Sequence, residues 1–292
     1  MACYLHSFTL ASQEAEEEFW SDRRNLKAKR TCYTTHYPFG IFRRRNPGCF
    51  TFAPITIFYG GNGSGKSTLL NIMAEALALQ RGAVYNRTDF FGDYISLCQW
   101  EADRLPPHSH ILTSDDVFDH LLGIRELNEG IHAKRAELFQ EYTQAKYSSM
   151  QMHSLADYEA LSKVVDAQRK STSKYVKGRL MENMPEQSNG ESALAFFADA
   201  IEENALYLLD EPENSLCAQR QLELKQFLED SARFYGCQLV IATHSPFLLS
   251  LAGAKIYDLD ESPAAVKHWT ELPNVRTYFN FFRQHAGEFD LP

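Results

Sequence analysis

Nine residues limit the fold more than any bulk property: "GGNGSGKST", residues 60–68, lies between the apolar runs "PITIFY" and "LLNIMAEALAL". Gly60, Gly65, Lys66 and Ser67 satisfy G-x-x-x-x-G-K-S, with a strand pattern before and a helix pattern behind. That context separates a phosphate-binding loop from an ordinary glycine turn. Gly60, Gly61, Gly63 and Gly65 let consecutive amides turn inward, while Asn62, Ser64 and Thr68 complete the loop. The helix N-terminus adds positive potential; Lys66 is placed to reach the β and γ phosphates of a nucleotide, and Ser67 to ligate magnesium.

Two later runs, "ALYLL" (205–209) and "QLVIA" (238–242), are short and continuously apolar, the mark of parallel strands buried on both faces. The helical "AQRQLELKQFLEDSARF" separates them, which gives a βαβ unit and an α/β core. Both strands end in polar chemistry. Asp210 follows the first, where a carboxylate can hold a metal through water, and Glu211 is the candidate general base for an attacking water. His244, in "VIATHSP", follows the second and is the candidate to hydrogen-bond a γ-phosphate. Adjacent acids at a strand end can also be a plain polar cap; the phosphate loop upstream favours the reactive reading.

Elsewhere, "YLHSFTL" (4–10) reads as a strand and residues 12–30 as a helix capped by Ser12 with an acidic first turn. "YPFGIF" (37–42) and "CFTFAPITIFYGG" (49–61), separated by "RRRNPG", predict a β-hairpin leading into a buried strand. From about 115 to 187 the chain turns polar, and Leu127, Ile131, Leu138, Tyr142, Tyr158, Leu161 and Val165 recur at helical spacing, so two or three amphipathic helices are expected as an inserted arm. "VRTYFNFFRQHAGEF" (275–289) reads as a helix docking on its own domain.

Composition excludes some classes. The formal net charge of -9 argues against nonspecific attraction of the whole surface to nucleic acid. No stretch of about 18 apolar residues is present for a bilayer span, so no membrane insertion and a cytoplasmic location are expected. The six cysteines form no CxxC pair, which suggests neither a zinc site nor a disulfide framework.

Ahead of the "ALYLL" strand stands "SNGES" (188–192), followed by the helical "ALAFFADAI". In order and spacing the phosphate loop, "SNGES", "LLDEPENSL" and "IATHSP" resemble the ATP-binding-cassette (ABC) ATPase family over roughly residues 37–260, the arm excluded. That resemblance implies an α/β P-loop NTPase fold, an ABC-ATPase-like head with a mixed sheet core and an inserted helical arm. The head would comprise residues 1–118, with the phosphate loop, and 188–292, with the signature, Walker B strand and switch histidine; residues 119–187 would form the arm.

The resemblance further implies that Ser188, Asn189, Gly190 and Glu191 form a signature acting on ATP held by an opposing subunit, in a homodimer closed around Mg-ATP. Glu211, His244 and Lys66 would be catalytic, and Ser67 and Asp210 would hold Mg2+. A capping box, Ser188 with Glu191, is the competing account of the same residues. Where transporter cassettes read like P-T-S-A-L-D, this chain has "PENSLC", so Asn214 and Ser215 stand in the D-loop without its aspartate. "THSP" is closer to the SMC, Rad50 and RecF-like branch and related AAA-type proteins than to transporters.

Gln99 competes with Ser114 and Asp115 for the Q-loop role, and Tyr37, Phe39 and Phe42 are adenine-stacking candidates that core packing explains equally well. The function implied is ATP hydrolysis that drives or gates a partner, a nucleic acid or a partner protein such as a nuclease, in DNA maintenance or anti-phage defence. A slow nucleotide-sensing switch and a soluble transporter subunit are the alternatives. Basic clusters at Arg23–Arg30, Arg43–Arg45 and 169–179 suit either phosphate contacts or a solvated face.

Overall fold

A computed structural model of the protein describes residues 2–30, 32–43, 48–148, 158–182 and 189–289. Two compact units emerge, Met1–Val117 with Asn189–Pro292, and Phe118–Ser188.

The first unit is built on a seven-stranded mixed sheet. Its strands are β3 (Ile55–Tyr59), β4 (Gln80–Arg81), β6 (His110–Thr113), β7 (Leu206–Asp210), β8 (Gln238–Ala242), β9 (Lys255–Asp258) and β10 (Ala265–Lys267), in the spatial order β10-β9-β3-β8-β7-β6-β4. All neighbours run parallel except β10 with β9. β3 and β8 are buried at every position, as continuous apolar runs covered on both faces require. Helix α2 (Lys66–Ala76) lies on this sheet and buries Leu69, Leu70, Ile72 and Met73.

A second, antiparallel sheet joins β1 (Leu5–Thr9), β2 (Cys49–Thr51) and β5 (Gln99–Ala102) in the order β2-β1-β5. One side chain ties it to the large sheet. The fully buried amide of Gln238, at the start of β8, accepts from the Tyr4 and Leu5 amides at 2.7 and 2.8 Å and donates to the Leu5 and Ala53 carbonyls at 2.9 and 3.3 Å.

Three sequence expectations are corrected here. The hairpin is absent: residues 37–42 form turns, and β2 pairs with β1 instead. Pro38 offers no amide to a ladder, Gly40 adopts φ 83, and Phe39 packs against Phe19, Trp20 and Tyr94 rather than across a strand pair. The helix expected over 12–30 stops early, as α1 (Gln13–Ser21), although Ser12 caps it by accepting from the Ala15 amide at 3.1 Å. Beyond it Asp22 and Asn25 accept from the Arg24 and Ala28 amides, the local side-chain bonds that compete with helix. Finally, α10 (Pro273–Gln284) buries only Val275. Its aromatic residues Tyr278, Phe279, Phe281 and Phe282 stay about half exposed instead of packing into their own unit's core.

The second unit draws on α4 (Ser114–Lys146), α5 (Tyr158–Arg169) and α6 (Thr172–Lys177). Leu138 and Ala145 of α4, Val164 and Ala167 of α5, and Tyr175 and Val176 of α6 make a small core of their own. Glu141 collects the Tyr175 hydroxyl at 2.5 Å and Lys163 at 3.0 Å, and the hydrogen bond from Tyr175 leads in holding its carboxyl below the usual range.

Candidate active site

Parallel strands bring their carboxyl ends to one edge. Phe58 pairs with Ala242, Ala242 with Asp210, and Asp210 with Thr113, so the segments following β3, β8, β7 and β6 start at one level. Ligands of open α/β sheets bind at such an edge.

The phosphate loop leaves β3 at Tyr59 and enters α2 at Lys66. Gly65 holds φ 94, and a Cβ there would come within 2.9 Å of the Phe42 ring. A side chain on Gly60 would meet Ser64 Oγ at 2.6 Å, so both glycines are sterically required. The Gly61 amide donates to Asp260 Oδ2 at 2.8 Å, fastening the loop to the end of β9. Lys66 is buried; its Nζ donates to the Gly60 and Gly61 carbonyls at 2.9 and 3.3 Å.

Across from the loop, Asp210 Oδ1 accepts from Ser67 Oγ at 3.1 Å. Burial pushes the Asp210 carboxyl up to about 6, against the opposing pull of the Ser67 hydroxyl and Lys66. Glu211 has φ 48, a left-handed backbone rare for a non-glycine residue, and its amide donates to the Ala242 carbonyl at 2.9 Å. Glu211 Oε1 lies 3.8 Å from Lys66 Nζ and 3.9 Å from His244 Nδ1. Loop, strand-end acids and histidine, 178 residues apart from Lys66 to His244 in sequence, therefore meet around one carboxylate. As for a metal, the Ser67 hydroxyl and Asp210 carboxylate are two hard oxygen donors side by side, a set that fits magnesium.

Residues 94–250 match the protein family described as "AAA domain, putative AbiEii toxin, Type IV TA system". The chain belongs to this AAA-domain family. It has the α/β P-loop NTPase fold and resembles an ABC-type ATPase head. Among curated relatives it is 27% identical over 191 residues to the petrobactin import ATP-binding protein YclP of Bacillus subtilis, covering 65% of this chain and 66% of that one. It is also 27% identical over 194 residues to the thiamine import ATP-binding protein ThiQ of Photobacterium profundum, covering 66% and 68%. The chain thus spans about two thirds of the length of these relatives. Among solved structures, the SMC head domain from Thermotoga maritima superposes with a TM-score of 0.40 at 12% identity, over 91% of this chain and 99% of that one.

Ser188 lies outside the described residues, and α7 (Asn189–Ala200) opens directly after it. Gly190 sits beside Ser215, 3.8 Å from a Cβ position to the Ser215 carbonyl, and Glu191 Oε1 accepts from Arg220 at 2.7 Å. The segments expected from the sequence to be signature and D-loop are neighbours within one subunit. Asn214 donates to Glu211 Oε2 at 3.2 Å, and Ser215 has φ 69.

Gln99 is exposed on β5 of the small sheet, paired with Thr9, whereas Ser114 directly follows Thr113 at the level of Asp210. Phe42 packs on Gly65, and Phe39 belongs to an aromatic cluster with Phe19; the Tyr37 hydroxyl donates to Thr68 Oγ1 at 3.1 Å, at the end of the loop. Of the basic residues, Lys27 pairs with Asp93, Arg43 with Glu17, and Lys170 and Arg179 with Asp166. Arg44 and Arg45 lie outside the described residues. No helix among the described residues is long and apolar enough to cross a membrane.

Sequence reasoning assigned no role to Glu213. It is buried, and its Oε1 accepts from the Thr243 hydroxyl at 2.5 Å and from the His244 and Ser245 amides at 3.0 and 3.2 Å. It also missed Asn274, whose side chain donates to the His244 carbonyl at 3.0 Å.

Proposed function

We propose that the protein binds ATP with Mg2+ and hydrolyses it to ADP and phosphate at the edge formed by Lys66, Ser67, Asp210, Glu211 and His244. The observation that carries this reading is the convergence of Lys66 and His244 on Glu211 Oε1, at 3.8 and 3.9 Å. Lys66 exchanges its loop carbonyls for the β and γ phosphates, whose oxygens also accept from the loop amides and the α2 N-terminus. Magnesium, held by Ser67 and Asp210, supplies charge neutralisation at the phosphates. Glu211 orients the attacking water and accepts its proton as the water oxygen bonds to the γ-phosphorus and the bond to the β–γ bridging oxygen breaks. The His244 ring donates a hydrogen bond to the γ-phosphate. Positioning and charge stabilisation account for the acceleration in chemistry of this kind.

The working unit in this reading is a homodimer. Ser188, Asn189, Gly190 and Glu191 of one subunit contact ATP bound by the other, and Ser215, beside Gly190, joins that contact. The dimer is cytoplasmic and acts on a partner protein or nucleic acid in defence or genome maintenance, which suits the family's description as a toxin–antitoxin component better than import. The names of the two curated relatives favour the second reading, a soluble importer subunit; co-purification with a membrane protein would establish it.

Glu211→Gln tests the mechanism. ATP should remain bound, a dimer should accumulate in sedimentation, and phosphate release should fall at least about a hundredfold, as expected on losing a general base. A monomer at saturating ATP, or unchanged turnover, would refute the proposal.

A further inference from the structure

Helix α10 stands on Val275 alone, while Tyr278, Phe279, Phe281 and Phe282 are 44%, 54%, 54% and 53% exposed. Helical geometry puts Val275, Tyr278, Phe279 and Phe282 on one face. That face lines a groove of about 510 Å³ together with Phe247 and Trp269. An isolated helix of this length is marginal in water, and contiguous exposed apolar surface marks an interaction site.

Charge selects the occupant. Arg276 and Arg283, one heptad apart, fall on the same border of the aromatic face, and among the described residues neither has an ion-pair partner. The nearby Glu288 is taken by His285 at 2.7 Å. A second copy of α10 crossing this one about a two-fold axis would bring arginines together and is disfavoured. Two cations are few for a nucleic-acid track, which neutralises several phosphates. A bilayer surface would cover the helix but leave the groove beneath it, with Phe247 and Trp269, unfilled.

We propose that the α10 face and its groove are the docking site for an acidic amphipathic helix of a partner protein. Apolar residues at i, i+3 or i+4, and i+7 of that helix fill the groove, and Asp or Glu residues seven apart meet Arg276 and Arg283. Aromatic and arginine side chains are the groups that carry most of the energy of such interfaces.

The test uses the full chain and two synthetic helical peptides of about 18 residues, five turns, with the same leucine stripe flanked by either Glu or Lys. In fluorescence anisotropy the Glu peptide should bind at least about tenfold tighter than the Lys peptide, and Arg276→Glu with Arg283→Glu should reverse that order. Phe279→Ala with Phe282→Ala should weaken both. Because these residues are exposed, the variants should retain the circular dichroism of the parent. Equal binding of the two peptides, or none, overturns the proposal. So does an α10-dependent dimer in sedimentation, or α10-dependent binding of anionic vesicles or a thymidine oligonucleotide that exceeds binding of the Glu peptide.

Discussion

Thr243 donates its hydroxyl to Glu213 Oε1 at 2.5 Å, and the next two amides converge on the same oxygen. One buried carboxylate after β7 thus sets the backbone of the loop that carries His244 after β8. Glu213→Ala would strand the buried Thr243 hydroxyl and the part-buried His244 amide, the Ser245 amide keeping its second acceptor, Thr243 Oγ1, at 3.0 Å. The loss should be on the order of 2 kcal/mol in urea unfolding, and Glu213→Gln should recover part of it because an amide oxygen still accepts. Turnover should fall with Glu213→Ala while ATP affinity changes little, since no phosphate contact is lost. A stability equal to the parent's would show that the loop is held by other means.

Lys66 currently spends its charge on the Gly60 and Gly61 carbonyls. Lys66→Ala should therefore leave the thermal midpoint of the nucleotide-free protein within a few degrees, yet weaken ATP binding by roughly a hundredfold, as loss of a charge-assisted phosphate contact predicts. Calorimetric titration with Mg-ATP checks the second half.

If the signature serves the opposite subunit, two inactive variants should rescue one another. Lys66→Ala lacks its own phosphate contact and Ser188→Arg blocks the partner's, so a mixed dimer retains one complete site and one doubly damaged site. Mixing them should restore about a quarter of the parental activity, half the dimers being mixed and each having one of two sites intact. No recovery on mixing would place Ser188 in a purely structural role.

Glu16 is buried with Oε1 unpartnered, and burial raises its pKa despite the Gly40 amide on Oε2 and the charge of Arg43. A carboxyl raised above its ordinary 4.5 contributes stability in its protonated form, fully present below 4.5 and lost as pH climbs through the raised value. Glu16→Gln keeps the acceptor for Gly40 without the charge. It should melt above the parent at pH 7, with the advantage disappearing as pH falls toward 4.5, in matched thermal scans.

Gln238→Leu would leave the Tyr4 and Leu5 amides unsatisfied where the two sheets meet. The cost should be on the order of 3 kcal/mol, read from denaturant midpoints, with hydrogen exchange rising first in β1.

What the sequence made legible was local. Gly60 to Thr68 announce themselves because glycines, lysine and hydroxyl must be contiguous, and Asp210 and His244 because each ends an uninterrupted apolar run. Glu213 was hidden: its three donors arrive from residues 243 to 245, and nothing in a two-letter neighbourhood of proline and asparagine reports a contact thirty positions away. The aromatic run at 37–42 misled for a related reason, since β propensity measures fit to a pleated surface and Phe39 finds its neighbours in α1 and α3 (Phe91–Ser96) instead. In α10 the helical period was readable but its burial was not, because a stripe of aromatics looks the same whether its cover belongs to this chain or to another.

Gln238 also bears on when the protein becomes whole. Tyr4 and Leu5 leave the ribosome more than two hundred residues before the side chain that satisfies them. At synthesis rates of about 5–20 residues per second, these two amides spend on the order of ten seconds or more without the acceptor they have in the finished fold. Closure of the two sheets on each other is thereby deferred until β8 is made, and Gln238 acts as a late lock on strands that paired before it.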